Sequence, residues 1–442
     1  MLLEFKTKNF KSFQDEMVFS MQAAPKQKGM EYSLLKGRYS SYKTGKALSK
    51  NIEVLSSAVI YGANASGKTN IISAIDAFKT IILRGNIDNS DTPTLNPCTA
   101  SLELIPNKDT SENKPVSFAI KFFTNDLLFS YETEIDFGGF LQNEYDRKIV
   151  SERLFINDAE IFDRTRELRL NLKHSFLKRY LTDFSKRPDE AVKLAREGLS
   201  EKEFFLVKGF STIVSPAISS MIQNYLKKMD VIVSSNQIEI QADPKKIQNN
   251  IAYIDAGLTD IAKEMGITSN AIGPIKNDNG AEICSFFQKE SKAVPIKIFE
   301  SYGTCRFINL FPIIARSLKK GSPLIVDEFD VSLHPFVLMN VISIYHNDEI
   351  NKNKAQLIFN THNPIFLNKN IFRRDEIKFV ERDDETHGSM HYALSDFGTE
   401  GKKGVRKTED YMKNYFINKY GAIRSIDFTS IFQKLMDEVE PL

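Results

Sequence analysis

One short stretch constrains the fold more than any other: residues 62–69 read Gly-Ala-Asn-Ala-Ser-Gly-Lys-Thr. They match the pattern in which glycines let backbone N–H groups curl around phosphate oxygens at a helix N-terminus. The apolar run Val54–Tyr61 before them has strand length, and the apolar residues from Ile71 to Ile82 have helical spacing. A strand, a glycine-bearing turn and a helix therefore predict a phosphate-binding loop in an α/β protein.

This loop predicts both ligands of the site. The Lys68 ammonium would neutralise the β- and γ-phosphates of ATP, and the Thr69 hydroxyl would take a coordination position on Mg²⁺. The residues of the loop predicted to contact ATP are Gly62, Asn64, Ala65, Ser66, Gly67, Lys68, Thr69 and Asn70.

A second stretch, PLIVDEFD at residues 323–330, is an apolar run that ends in paired carboxylates. Ligands of open α/β sheets bind at the carboxyl ends of the strands, which is where these two side chains fall. Asp327 is the predicted Mg²⁺ residue, and Glu328 is predicted to polarise the attacking water. A strand followed by acidic residues is common, so the prediction depends on the phosphate loop.

Two further stretches complete the pattern. ESYGTCR opens an apolar helix shortly before the acidic strand, and taken alone Ser301 is a helix N-cap. Its place before that strand instead favours a resemblance to the ABC-type signature, with Ser301, Gly303 and Thr304 meeting the γ-phosphate. FNTHNP follows the next apolar strand, where ABC-type ATPases carry a catalytic histidine, here His362. His334 is expected to be structural or interfacial.

The order of these stretches predicts the fold class. More than half of the chain separates Lys68 from Asp327, which a simple phosphate-loop ATPase does not need. The expected fold is an α/β ABC-type ATPase head, with a mixed sheet, flanking helices, an N-terminal antiparallel part and a helical insertion. Such a head hydrolyses ATP only when two copies sandwich the nucleotide, so a homodimer or higher homo-oligomer is predicted.

Changes in sequence character divide the chain into three parts. Residues 1–157 are predicted to form the first part of the head, with the phosphate loop. Residues 158–292 have mixed charge and few strand signals, and they predict a helical insertion that serves as a lid or partner-binding element. Residues 293–442 are predicted to complete the head.

The motifs together resemble a known family. NFKSF at residues 9–13 resembles the opening strand of SMC-like ATPases, and IYGANASGKTNIISAI, ESYGT, IVDEFDVSLHP and NTHNP resemble the ATPases of abortive-infection operons. This is the RloA/AbiLi-like group, related to the OLD-family ATPases. The resemblance implies that Lys11 and Ser12 also contact ATP. Gln142 is only a weak candidate for the glutamine that links ATP to the moving lobe.

The resemblance also implies a role in anti-phage defence. OLD nucleases carry a Toprim domain after the ATPase, and the residues after Asp396 are expected to be too few for one. The effector, a nuclease or another toxin, is therefore expected to be a separate polypeptide. This ATPase is expected to act as the sensor or scaffold that controls it.

Composition sets broader limits. The chain of 442 residues carries 59 basic and 57 acidic side chains, so its net charge of +2 makes no bulk case for nucleic acid. Three distant cysteines fit neither a disulfide framework nor a zinc site and predict reduced thiols. With no long apolar run and no signal-peptide pattern, the expectation is a cytoplasmic protein without a membrane partner.

One alternative function remains open at the level of sequence. An SMC-like ATPase of DNA repair or recombination would clamp DNA, with nucleic acid as a further partner. Its phosphate contacts would come from the basic stretches 173–187 and 402–407. Both stretches have acidic neighbours, which is also typical of solvated helix faces. A transporter subunit is disfavoured by the N-terminal motif and the long insertion.

Overall fold

The computed structural model describes most of the chain. The described residues are 1–25, 27, 29–92, 94–110, 112–183, 187–233, 256–266, 271–277, 280–287, 289–399, 404–424 and 427–437. The basic stretch 173–187 is thus described except for 184–186, and of the stretch 402–407 only 404–407 are described.

The elements follow in chain order. The strands are β1 (Leu2–Lys8), β2 (Met17–Ser20), β3 (Leu34–Ser41), β4 (Leu48–Leu55), β5 (Ser57–Tyr61), β6 (Val116–Thr124), β7 (Leu127–Asp136), β8 (Lys148–Ile156), β9 (Ala159–Arg164), β10 (Leu168–Leu170), β11 (Asp230–Ile232), β12 (Ala271–Asn277), β13 (Gly280–Phe287), β14 (Lys292–Pro295), β15 (Pro323–Val326), β16 (Gln356–Asn360), β17 (Ile377–Arg382) and β18 (Ser389–Ala393). The helices are α1 (Lys68–Arg84), α2 (Pro188–Glu197), α3 (Pro216–Lys228), α4 (Ala256–Glu264), α5 (Ile296–Phe299), α6 (Tyr302–Lys320), α7 (Pro335–Tyr345), α8 (Tyr411–Phe416) and α9 (Thr429–Asp437).

A six-stranded sheet forms the centre of the head, in the order β11-β15-β16-β5-β17-β18. The first five strands are parallel and β18 is antiparallel to β17. All five residues of β5 are buried, as expected of a parallel strand covered on both faces. The parallel sheet predicted from the sequence is confirmed, and the carboxyl ends of β5, β15 and β16 lie side by side.

The N-terminal part is a seven-stranded antiparallel sheet in the order β10-β9-β8-β7-β6-β1-β2. Burial alternates along β6 and β7, so one face of these strands packs into the core. Because successive side chains point to opposite faces, β5 contributes to two cores. Ala58 and Ile60 pack with the antiparallel sheet and α1, whereas Val59 and Tyr61 pack with the C-terminal elements. The predicted N-terminal antiparallel part of the head is confirmed.

The expectation that residues 158–292 form a helical insertion is wrong in its secondary structure. The described residues include α2, α3 and α4, but β9 and β10 extend the antiparallel sheet and β11 is an edge strand of the central sheet. Strands β12, β13 and β14 form a separate three-stranded sheet. Leu168 and Leu170 alternate with polar residues, which is the period of a strand. In the prediction, the mixed charge of the surrounding residues outweighed this signal.

The remaining helices position the site. The apolar helix that ESYGTCR was expected to open is confirmed as α6, which begins at Tyr302. All three cysteines are free and buried. Within the described ranges, no helix has both the length and the apolar character needed to cross a membrane.

Candidate functional site

The phosphate loop joins the end of β5 to the start of α1. Gly67 has φ +108°, and a Cβ atom there would lie 2.6 Å from the Ser389 hydroxyl oxygen and 2.8 Å from that of Ser12. Only glycine satisfies both the backbone angle and this close approach. The neighbouring Ser66 hydroxyl oxygen is buried and has no partner among the described residues. A phosphate oxygen is a suitable partner for such a group.

Lys68 lies at the first position of α1 with its ammonium inside the loop. Its Nζ donates hydrogen bonds to the carbonyl oxygens of Gly62 and Ala63, both at 2.9 Å. Burial lowers the pKa of Lys68 to about 8, and the nearby carboxylates of Asp327 and Glu328 oppose that shift. A cation next to the free N–H groups of a helix N-terminus fits a polyphosphate anion.

Asp327 follows β15 and faces the same loop. Its Oδ1 accepts hydrogen bonds from the Thr69 hydroxyl at 3.2 Å and from the Asn360 side-chain amide. Its backbone N–H donates to the Ile232 carbonyl of β11 at 2.8 Å. Burial raises the pKa of Asp327, and the Asn360 and Thr69 hydrogen bonds lower it. A hydroxyl and a carboxylate in contact are oxygen ligands of the kind Mg²⁺ takes, so the residues fit this ion.

Glu328 is exposed and has an unusual backbone. Its φ of +49° is a left-handed conformation, costly for a residue with a side chain. Two buried side chains fix it there. The Asn360 Oδ1 accepts a hydrogen bond from the Glu328 N–H at 2.5 Å, and the Arg306 Nη2 donates to the Glu328 carbonyl oxygen at 2.6 Å. Asn360 therefore connects Asp327 to Glu328.

Arg306 is 4 % exposed, and within the described structure its Nε and Nη1 atoms have no partner. Burial lowers the pKa of this guanidinium. Because Arg306 lies in the second turn of α6, the helix that Ser301 caps, it connects that helix directly to the Glu328 backbone.

His362 follows β16 on the same edge of the sheet. Burial, with a further contribution from Lys68, lowers the pKa of His362, whereas Asp330 and Glu328 oppose the shift. The imidazole is therefore neutral at neutral pH and can accept or donate a hydrogen bond. The loop that carries it is joined to β5, because the Tyr61 hydroxyl donates to the Asn363 carbonyl at 3.1 Å.

The signature-like residues form the N-terminus of α6. The Ser301 hydroxyl accepts a hydrogen bond from the Thr304 N–H at 3.2 Å, so it is the helix N-cap as well. Because Gly303 has no side chain, its backbone can lie close to the Ser332 carbonyl, with which a Cβ atom would collide. Ser301 and Tyr302 are exposed, and no hydrogen bond in the described residues joins them to the phosphate loop.

The other predicted nucleotide contacts surround the loop. Asn64 and Ala65 are exposed at its crest. The Asn70 side-chain amide donates to the Ser12 hydroxyl at 2.8 Å, and the Ser389 hydroxyl donates to the Ser66 carbonyl at 2.6 Å. Ser12 therefore supports the loop from the N-terminal sheet.

Three further residues from the sequence analysis form hydrogen bonds with other parts of the structure. The Lys11 ammonium donates to the Ser73 hydroxyl on α1 at 2.9 Å. Gln142 lies between β7 and β8, where its Oε1 accepts a hydrogen bond from the Gly139 N–H at 2.9 Å. His334 caps α7 by accepting a hydrogen bond from the Phe336 N–H at 3.3 Å.

Asn360 and Arg306 lie within the sequence motifs, but the sequence predicted no role for either. A signal for Asn360 existed. β15 and β16 are parallel with Val326 opposite Phe359, so the next residues, Asp327 and Asn360, lie side by side. No comparable signal existed for Arg306, because its contact depends on how α6 crosses the end of β15.

This arrangement defines a class of protein. A phosphate loop, an acidic strand end and a histidine loop on neighbouring parallel strands, with an antiparallel N-terminal sheet, form an ABC-type phosphate-loop ATPase head. Residues 57–368 match the family described as "AAA domain, putative AbiEii toxin, Type IV TA system". The chain belongs to this family.

Two solved structures of SMC heads are similar in outline. The SMC head domain from Thermotoga maritima has a TM-score of 0.37 and 15% sequence identity, over 89% of this chain and 98% of that one. An SMC head bound to the C-terminal winged-helix domain of ScpA has a TM-score of 0.41 and 15% identity, over 89% and 97%. At these TM-scores neither likeness bears on function. No curated protein matches the chain.

Proposed function

We propose that two copies of this chain hydrolyse ATP at composite sites, each closed by the signature of the other copy. The observation that carries the proposal is the Asn360 bridge. One amide holds the Asp327 carboxylate beside Thr69 and fixes the Glu328 backbone in a left-handed conformation. A strained backbone that two hydrogen bonds hold in place beside a phosphate loop is typical of a catalytic position.

The proposed roles follow from the positions of the side chains. Lys68 and the N–H groups of the loop bind the β- and γ-phosphates, and Thr69 and Asp327 would hold Mg²⁺. When bound, this ion neutralises charge that develops on the phosphate oxygens. Glu328 accepts a proton from the attacking water, and the neutral His362 orients that water against the γ-phosphate.

The exposed surface around the signature supports a partner head. Ser301 is exposed on the outside of α6, so an ATP molecule on a second copy could meet it. Large apolar side chains on α5, α6 and α7 are each more than half exposed: Ile298, Phe299, Tyr302 and Phe336. Such a patch is typical of a protein interface.

The test is ATP hydrolysis as a function of protein concentration, for the wild type and Glu328→Gln. We expect specific activity to rise with concentration and to fall by at least about a hundredfold in the variant, because the general base is lost. Glu160→Gln is the matched control, since that carboxylate is exposed on β9 of the N-terminal antiparallel sheet. Activity that is linear in concentration and survives in Glu328→Gln would contradict the proposal.

We further propose that this ATPase serves in anti-phage defence as a sensor or scaffold that controls a separate toxic effector. The family's description, which names an abortive-infection toxin and a toxin–antitoxin system, supports this role. We expect a tagged Glu328→Gln protein, expressed with its neighbouring gene, to copurify with that gene product in the presence of ATP. Growth arrest by this chain expressed alone would instead mean that it is itself the toxin.

A further inference from the structure

A second basic site lies at the opposite end of β17 from the phosphate loop. The carboxyl end of β17 contacts that loop, since the Val380 carbonyl packs against Gly62. Lys369, Phe372, Arg373 and Arg374 precede the amino end and line a cavity of about 270 Å³ together with Lys407. No described residue of this lining belongs to the phosphate loop, and the three steps along the strand from Ile377 to Val380 span roughly 10 Å. The cavity is therefore distinct from the ATP site.

Four cationic side chains converge on this cavity: Lys369, Arg373, Arg374 and Lys407. Among the described residues, only the buried Arg373 has a paired carboxylate, because its Nε and Nη2 each donate to Asp375 at 2.9 Å. The Lys369 ammonium donates to the Thr408 carbonyl at 3.1 Å. Carbonyl oxygens accept these hydrogen bonds without neutralising the charge.

Within the described residues, Arg374 and Lys407 also form no ion pair with a carboxylate. Arg374 Nη1 donates to the carbonyl of Gly398 at 2.8 Å and to that of Val405. The Lys407 ammonium lies over Gly29, in the space a Cβ atom would fill. Three acidic side chains lie nearby. The exposed Glu31 carboxylate accepts a hydrogen bond from the Gly29 N–H at 3.0 Å, Glu409 is paired with Lys419, and Asp410 caps α8 by accepting a hydrogen bond from the Lys413 N–H.

Phe372 and Tyr411 line the cavity and are each nearly fully buried, and the polar side chains of Gln27 and Thr399 also line it. The site thus combines aromatic walls with three cations, Lys369, Arg374 and Lys407, that have no carboxylate partner among the described residues. Phosphate esters, which carry charged oxygens on an organic group, match this chemistry.

We propose that this cavity binds a phosphate ester, either a backbone phosphate of a single-stranded nucleic acid or the phosphate of a free nucleotide. The proposal is independent of ATP hydrolysis at the phosphate loop. It gives a place to the basic stretch ending at Lys407, which the ATPase mechanism leaves unused.

The test compares Lys369→Gln/Lys407→Gln with Lys193→Gln/Lys228→Gln. The control pair removes the same charge from exposed positions on α2 and α3. With the phosphate loop saturated by ADP and Mg²⁺, one arm measures a labelled single-stranded oligodeoxynucleotide by fluorescence anisotropy across a salt series. The second arm measures AMP binding by calorimetry. Thermal unfolding and ATP hydrolysis confirm that each variant is folded.

If the source is a nucleic acid, the cavity variant should bind the oligonucleotide roughly tenfold more weakly at 0.15 M salt, with a salt slope smaller by about 1.4, since about 0.7 is lost per single-strand contact. If the source is a free nucleotide, AMP binding is lost and oligonucleotide binding is unchanged. Equal binding by both variants in both arms, or no binding of either probe to the wild type, overturns the proposal.

Discussion

The Asn360 bridge can be tested by replacing one amide. Asn360→Ala removes the hydrogen bond donated to the Asp327 carboxylate and the one accepted from the Glu328 N–H. A buried hydrogen bond to a charged group contributes about 1.5–3 kcal/mol and a neutral one about 1 kcal/mol. We therefore expect the free energy of unfolding to fall by about 2–4 kcal/mol.

The effect on catalysis should be larger than this loss of stability suggests. Without Asn360, the Glu328 backbone loses one of its two anchors, and small misplacements of a catalytic group cost on the order of a hundredfold in rate. We expect kcat to fall by about that factor. The pKa of Asp327 should rise, because the Asn360 hydrogen bond lowers it. The acidic limb of the pH–rate profile should then move to higher pH, and more Mg²⁺ should be needed for half-maximal activity.

The matched control is Asn351→Ala. Asn351 is also buried, and its side chain makes three backbone hydrogen bonds, to Tyr345 and Ala355, near the other end of β16. It should lose a similar amount of stability, about 3 kcal/mol. The assay is steady-state ATP hydrolysis at saturating protein, far below the unfolding temperature of either variant. If Asn360→Ala and Asn351→Ala differ in kcat by less than about twofold, the bridge is structural and the catalytic network is wrong.

Three further predictions concern the same site. Gly67→Ala should abolish nucleotide binding, measured with a fluorescent ATP analogue. The control is Gly45→Ala, at φ +77° with open space around it, which should lower the free energy of unfolding by only about 1 kcal/mol and bind the analogue normally. ATP affinity should fall by about fivefold from pH 8 to pH 9, because Lys68 has a pKa of about 8 and loses its charge there; a flat profile would contradict the assignment. Arg306→Met should lower kcat at least about tenfold. It should change the unfolding free energy, measured in urea, by less than about 1.5 kcal/mol, because the lost bond to the Glu328 carbonyl is offset by removing two donors that have no partner among the described residues. A large loss of stability with normal kcat would refute this prediction.

The sequence predicted the elements that have local signatures. The phosphate loop has a fixed spacing, and β15 and β16 are apolar runs bounded by polar residues, so their order predicted a parallel sheet with Asp327 and His362 on one edge. The structure agrees on this arrangement of strands. The roles of the individual residues remain predictions.

What the sequence did not reveal depends on contacts between distant segments. The role of Arg306 follows from the angle at which α6 meets the β15 loop, which no local pattern encodes. The edge strand β11 has only three residues, too few for a periodic signal. The exception is local: β9 pairs with β8 across a tight turn and β10 pairs with β9, and this pairing outweighed the charged residues that suggested helices.

The position of β5 in the central sheet has a consequence for how the chain is made. Its two neighbours, β16 and β17, come late in the sequence, so the strand leading into the phosphate loop has both edges unpaired until about 300 more residues have been synthesised. At roughly 5–20 residues per second, that interval is on the order of 15–60 s. An unpaired apolar strand is an aggregation hazard. Fragments that stop before β16 should therefore accumulate as insoluble protein, and production of this ATPase should depend on chaperones that cover β5 during translation.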